Sequence, residues 1–137
     1  MVENKTEKSN IDVFLEEFLP PFNLTREEGE LVLRRFYQEN YQKLRKFVTP
    51  FPEARNIVQL SIIKSFKTSL ATTPAFMREA IEAWLNWAEI DDLPFDLITF
   101  DEDFTTCKRN LDYYKDICKK IGLKPPRPKG RGFPRVH

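Results

Sequence analysis

Apolar residues recur along most of this chain at intervals of three and four, the period of helices buried on one side, and proline-bearing turns divide the runs. The first run, "IDVFLEEFL", sets Ile11, Phe14, Leu15, Phe18 and Leu19 on one side of a short helix. Ser9 or Asn10 caps it and Pro20-Pro21 stops it. Thr25 and Glu28 have the spacing of a capping box, in which hydroxyl and carboxylate satisfy the first free amides reciprocally. The long helix that follows runs to about Val48, with Leu33, Phe36, Tyr37, Tyr41, Leu44 and Phe47 as its stripe. Pro52 suits a first helical turn, and Ala54, Ile57, Val58, Ile62, Ile63, Phe66 and Leu70 continue the period into a third helix. Its β-branched run "NIVQLSII" also fits a strand, but the flanks favour helix.

Thr73-Pro74 opens a fourth helix, "PAFMREAIEAWLNWAEI". Glu79, Glu82, Asn86 and Glu89 make a narrow polar line, and Phe76, Met77, Ala80, Ile81, Ala83, Trp84, Leu85, Trp87 and Ala88 fill the remaining circumference. So wide an apolar face puts this helix at the centre of the core or against another subunit. The stretch "DDLPFDLITF" reads as a loop with a helical turn packed by Phe95, Leu97, Ile98 and Phe100, and not as a sheet. With Asp101 or Asp103 as cap, Phe104, Cys107, Leu111, Tyr114, Cys118 and Ile121 form the seam of a fifth helix, which Gly122 ends in the left-handed conformation.

The elements predict an all-α protein: an up-and-down four-helix bundle with a short extra N-terminal helix and flexible ends. Residues 1–10 are the flexible N-terminus, 11–122 the bundle domain, and 123–137 a basic tail rich in proline and glycine. One domain fits the 137 residues, and the aromatic content (12 Phe, 4 Tyr, 2 Trp) exceeds what a chain unable to collapse would carry.

Charge sharpens the picture only when it is followed along the chain. The formal total is +1, but residues 1–33 carry net −5, 34–67 carry +6, 78–103 carry −8 and 104–137 carry +8. Blocks of opposite sign can pair within the fold or between copies, and each creates a local field that the total hides. Near the N-terminus "MVENKTEKSN" lacks the apolar core of a secretory signal, and charges interrupt every later apolar run short of a membrane span. The expectation is a soluble, cytoplasmic protein without membrane partners. Cys107 and Cys118, eleven residues apart on one predicted helix, would lie ~16 Å from each other, too far for a disulfide. They read as reduced, half-buried thiols.

Chemistry is scarce. The acidic stretch Glu89–Asp103 could hold Mg²⁺ or do acid–base work if two carboxylates converged, but loop solvation and helix capping explain it, with no EF-hand glycine and no nearby histidine. His137 is the single histidine and the four glycines are scattered, which leaves no catalytic set, no phosphate loop and no closed zinc site. The expectation is a non-enzyme without cofactor or metal. A helix-turn-helix drawn from the third and fourth helices would present Glu79, Glu82 and Glu89 to DNA, which repels phosphate. Basic candidates for nucleic acid are instead Arg34, Arg35, Lys43, Arg45 and Lys46 on the second helix, and Lys124, Arg127, Lys129, Arg131 and Arg135 in the tail. Within that tail "KPPRP" has P-x-x-P spacing, which favours polyproline II and docking on a protein surface, and the acidic blocks offer it a target. Phe76, Met77, Trp84 and Trp87 are the candidate anchors of a protein interface, and two core aromatics are the equal alternative for the tryptophans.

Stretches such as "REEGELVLRRFYQENYQKLRKF" and "MREAIEAWLNWAEI" give the chain a resemblance to small proteins encoded by viruses of hyperthermophilic archaea, in particular a spindle-shaped virus with a Pyrococcus host. The resemblance implies a helical bundle that mediates protein contacts in the viral cycle, in the host cytoplasm or the virion, with no catalytic residues. Coat proteins of filamentous archaeal viruses also look similar in combining a helical bundle with basic segments that cover DNA. The leading expectation is a protein–protein interaction module acting as a homodimer or with another protein, and the alternative is a nucleic-acid-binding or packaging protein.

Overall fold

A computed structural model describes residues 7–125, which are mostly helical. Helix α1 spans Asn10–Phe18, and Ser9 caps it by accepting the Asp12 amide at 3.3 Å. Helix α2 spans Arg26–Arg35 behind the expected capping box: Glu28 N–H donates to Thr25 Oγ1 at 3.3 Å, and Thr25 N–H donates to Glu28 Oε2 at 2.9 Å. Beyond Arg35 the chain stays helical but changes winding, first to a π turn at Phe36–Asn40 and then to a 3₁₀ stretch at Tyr41–Phe47. Helix α3 covers Pro52–Ile63, with the proline in its first turn as expected. Helix α4 is Arg78–Trp87 and helix α5 is Leu111–Lys120.

Four expectations are corrected. The third helix does not reach Leu70: it stops at Ile63, where Ser65 turns to positive φ, and Ser69–Leu70 is strand β1. The loop after α4 does contain a strand, β2 at Leu97–Ile98, which pairs parallel with β1 in the register Ser69 to Leu97 and Leu70 to Ile98. Parallel neighbours need a crossover, and α4 supplies it. The fourth helix begins at Arg78 and not at Pro74, whose carbonyl accepts from the Asn10 side chain at 2.8 Å. The fifth begins at Leu111, with Asn110 as cap, and Asp101–Asp103 forms only a 3₁₀ turn. Cys107 and Cys118 therefore do not share a helix, although both are free and half-buried.

The strand pair separates two clusters, because successive residues of a strand point to opposite sides. Leu70 and Ile98 face the first cluster, Ile81, Leu85, Ile90 and Phe100; Ala71 and Leu97 face the second, Phe104, Tyr113 and Ile117. Helix α4 thereby sits in the core, burying Ala80, Ile81, Ala83, Leu85 and Trp87, while Glu82 and Asn86 of its polar line face solvent. The α5 seam is shifted by one position. Tyr113 and Ile117 are buried, whereas Leu111 and Tyr114 are exposed, since the break between Phe104 and Leu111 resets the helical phase. At the end of α5, Gly122 takes φ +73, with its amide bonded to the Lys119 carbonyl and that of Leu123 to the Cys118 carbonyl, a complete Schellman motif.

A side-chain hydrogen-bond network prolongs the short ladder. Asp96 accepts from Thr68 N–H at 2.8 Å and from Lys67 Nζ at 2.6 Å. At the other end Thr72 N–H donates to Thr99 Oγ1 at 2.8 Å, and Thr72 Oγ1 donates to the Thr99 carbonyl at 2.8 Å. The fully buried Tyr113 hydroxyl donates to the Thr72 carbonyl at 2.6 Å and lies 2.9 Å from Thr99 Oγ1, tying α5 to both strands. Tyr113→Phe leaves that carbonyl and hydroxyl short of a partner inside the core, so chemical unfolding should show a loss of about 1–3 kcal/mol. A variant as stable as the wild-type chain would show that the network is dispensable.

Candidate interaction surface

The four proposed interface anchors separate when placed on the fold. Met77 and Trp87 are buried inside the chain, which corrects their reading as interface residues: they are core. Trp84 is half-buried and donates from Nε1 to Tyr41 Oη at 2.6 Å, and Tyr41 in turn stacks on Trp87 at a centroid distance of 5.4 Å. Phe76 lies edge-on to Trp84 at 5.1 Å and is partly exposed. These contacts join α4 to the π turn and 3₁₀ stretch after α2. The altered winding brings Phe36, Tyr37 and Tyr41 into one aromatic group, with centroids 5.0–6.1 Å apart. Only Phe76 and the rim of Trp84 remain available to another molecule.

The basic candidates on the second helix are largely committed. Arg34 pairs with Glu79 of α4, and Arg35 pairs with Glu39 at 3.1 Å. Lys43 donates to Asn40 Oδ1 at 2.8 Å, Arg45 donates to the Val48 carbonyl at 2.8 Å, and Lys46 lies over the Phe47 ring at 5.0 Å. Phosphate would have to compete with an existing partner at most of these positions. Lys124 is exposed, and Arg127, Lys129, Arg131 and Arg135 lie outside the described residues.

The acidic stretch is dispersed as well. Asp92 makes a two-pronged pair with Arg55 at 2.6 and 2.7 Å, which holds its carboxyl below the usual range. The Lys67 ammonium and the Thr68 amide do the same for Asp96. Glu102 pairs with Arg78, whose guanidinium stacks 3.7 Å from the Phe100 ring centroid. Among the described residues, no three His, Cys, Asp or Glu side chains converge as metal ligands.

Asp101, which the sequence offered only as a helix cap and as one carboxylate of the acidic stretch, is the exception. It is 3% exposed at the floor of a cleft of about 210 Å³, beneath Arg26, Arg34, Arg78, Glu79 and Glu102. The three arginines already pair with Asp12, Glu30, Glu79 and Glu102, which leaves Asp101 without a cation among the described residues. Burial pushes its carboxyl up to about 7, the charges of Glu102 and Glu79 add to the rise, and the Glu102 and Asp101 amides oppose it.

No family model matches the chain, and no curated protein or solved structure does either. No helix of the described residues is long and apolar enough to cross a membrane.

A band of exposed apolar surface belongs to the third helix of the expected bundle. Helix α3 buries none of its residues fully, and Ile57, Leu60 and Ile63 are 65%, 52% and 78% exposed. At 100° per residue these three fall in one band, opposite the half-buried Ala54, Val58 and Ile62. Phe51 precedes the helix and Phe66 follows it, both largely exposed.

Proposed function

We propose that this protein is a non-enzymatic helical interaction module that self-associates as a symmetric dimer, with α3 of one copy packed on α3 of the next. The observation behind the reading is the band of Ile57, Leu60 and Ile63, extended by Phe51 and Phe66. A self-complementary patch crossed by a twofold axis buries itself, and closure at two copies prevents open-ended assembly. Five partly exposed apolar side chains from each copy contribute roughly 10–20 kcal/mol of transfer free energy when covered. The loss of rigid-body freedom on association costs about 4–15 kcal/mol. The two ranges make a dimer of micromolar or tighter affinity attainable.

The same proposal takes the four longer helices as an up-and-down bundle, supported by the packing of α4 against the second half of the α2 segment. Resemblance to proteins of archaeal viruses extends it to a role in a viral cycle, in the host cytoplasm or the virion. Analytical ultracentrifugation of the full chain tests the central claim. The expected result is a dimer mass that dissociates on dilution and persists in high salt, since an apolar contact is not screened. A monomer mass at every concentration would overturn it.

A further inference from the structure

The exposed side of α3 carries charge at its two ends. Glu53 lies in the first turn and Lys64 caps the last, and at 100° per residue both fall in the band of Ile57, Leu60 and Ile63. Both are exposed, and neither has an ion-pair partner among the described residues. Arg55 lies on the opposite side of the helix, where it makes its two-pronged pair with Asp92. Asn56, exposed on the same side as the band, is uncharged.

We propose that two copies of α3 pack antiparallel about a twofold axis passing between Val58 and Gln59, so that Glu53 of each copy pairs with Lys64 of the other. This arrangement rests on self-association through α3 and adds to it a direction and a register. Three observations meet here. Spacing is the first. Glu53 and Lys64, Ile57 and Leu60, and Phe51 and Phe66 are three pairs centred on one point, midway between Val58 and Gln59.

An antiparallel twofold sets each position level with the one equally far beyond the axis on the other copy. Ile57 then meets Leu60 at the middle of the contact, on both sides of the axis. Glu53 comes level with Lys64 at either end, the two ionic contacts standing about 16 Å apart along the helix. Phe51 and Phe66, which flank α3 in each chain and are largely exposed, lie just outside them at the two edges. One register thus gives every exposed residue of the pattern a partner of its own kind or of opposite charge.

Charge is the second observation. A parallel pair of helices would set Glu53 beside Glu53 and Lys64 beside Lys64, whereas the antiparallel pair joins opposite charges twice, so like-charge repulsion disfavours the wrong direction. The helix dipole is the third. Antiparallel packing lays the positive N-terminal end of each α3 beside the negative C-terminal end of the other, and Glu53 and Lys64 stand at those ends. Ion pairs at the rim are partly screened by water, so they select direction and register while the apolar middle supplies most of the affinity.

Sedimentation of charge variants of the full chain at low salt provides the test. Glu53→Lys alone and Lys64→Glu alone each place like charges together at both ends, and each should weaken the dimer roughly tenfold. Mixed one to one, the two variants should form a heterodimer about as tight as the wild-type dimer, because the mixture restores opposite charges at both ends. Glu53→Lys with Lys64→Glu in one chain should likewise regain wild-type affinity. Both ends of its α3 then carry the sign the dipole disfavours, so the recovery reports contact across the axis and not helix stability. Added salt should narrow these differences. Single variants as tight as wild type, or a mixture that recovers nothing, would refute the antiparallel register and leave self-association standing. A wild-type chain that is monomeric at every concentration would refute both.

Discussion

At pH 8 the Asp101→Asn variant is expected to melt well above the wild-type chain, and at pH 4 the two should melt nearly together. The carboxyl is buried with no cation beside it among the described residues and ionises only at about 7 in the folded chain, while in the unfolded chain it ionises near its ordinary value of 3.8. Between these values the folded state keeps a proton that the unfolded state has lost. Stability from this group is thus fully present below about pH 4, falls as pH rises through about 7, and stays low above that. That rise in the carboxyl's pKa corresponds to on the order of 3–4 kcal/mol, or roughly 10 °C in melting temperature for a domain of this size. Asparagine can still accept the Glu102 amide but carries no charge to desolvate. Thermal melts at pH 4, 6 and 8 decide the matter. A variant no more stable than wild type at pH 8 would mean that the cleft hydrates the carboxylate.

The second large effect falls on assembly. Leu60→Glu with Ile63→Glu should convert the proposed dimer to a monomer over the micromolar range, a loss of at least a hundredfold in affinity. Each protomer would bring two carboxylates to the twofold contact, and burying unpaired charge there costs far more than the lost apolar area. Because both side chains are more than half exposed in the single chain, the fold should hold: circular dichroism and melting of the monomer should match the wild-type values within a few degrees. Trp84→Glu provides a contrast. Its indole donates to Tyr41 inside the aromatic group, so that change should lower stability first and association only as a consequence. If the α3 variant stayed dimeric while the Trp84 variant dissociated without loss of stability, the contact would lie on α4.

The positions that were legible in advance are those governed by neighbours in the chain. The Thr25–Glu28 capping box, Ser9 as cap of α1, Pro52 in the first turn of α3 and Gly122 at the end of α5 all formed as expected. Each depends on a few successive residues and on backbone geometry alone, which a short stretch of sequence contains. The breadth of the apolar face of α4 pointed either to the centre of the core or to another subunit, and the burial of Ala80, Ile81, Ala83, Leu85 and Trp87 places it in the core.

The strand pair was not legible, because two-residue strands at Ser69–Leu70 and Leu97–Ile98 are too short to develop an alternating pattern. Their extended form is held by distant partners, Asp96 to Thr68 and Tyr113 to Thr72, which no local window contains. The α5 seam was misplaced for a related reason. A period counted from Phe104 assumed an unbroken helix, and the break before Leu111 moved the buried face to Tyr113 and Ile117.

The candidate surfaces divide in the same way. The sequence by itself determined a largely helical chain, the caps of α1 and α2, the proline in the first turn of α3 and the glycine stop of α5, its alternating blocks of charge and a P-x-x-P segment, since each follows from residue type and local spacing. Only the tertiary structure decided that Met77 and Trp87 are core, that the arginines of α2 are engaged, that Asp101 is buried with no cation beside it among the described residues, and that α3 and the phenylalanines of α1 are left outward. The physical reason is that an apolar period shows which side of a helix seeks cover, whereas whether cover exists depends on how many other faces the chain can bring to it. Here α4 and the strand pair take the centre, and the apolar face of α3 is left exposed.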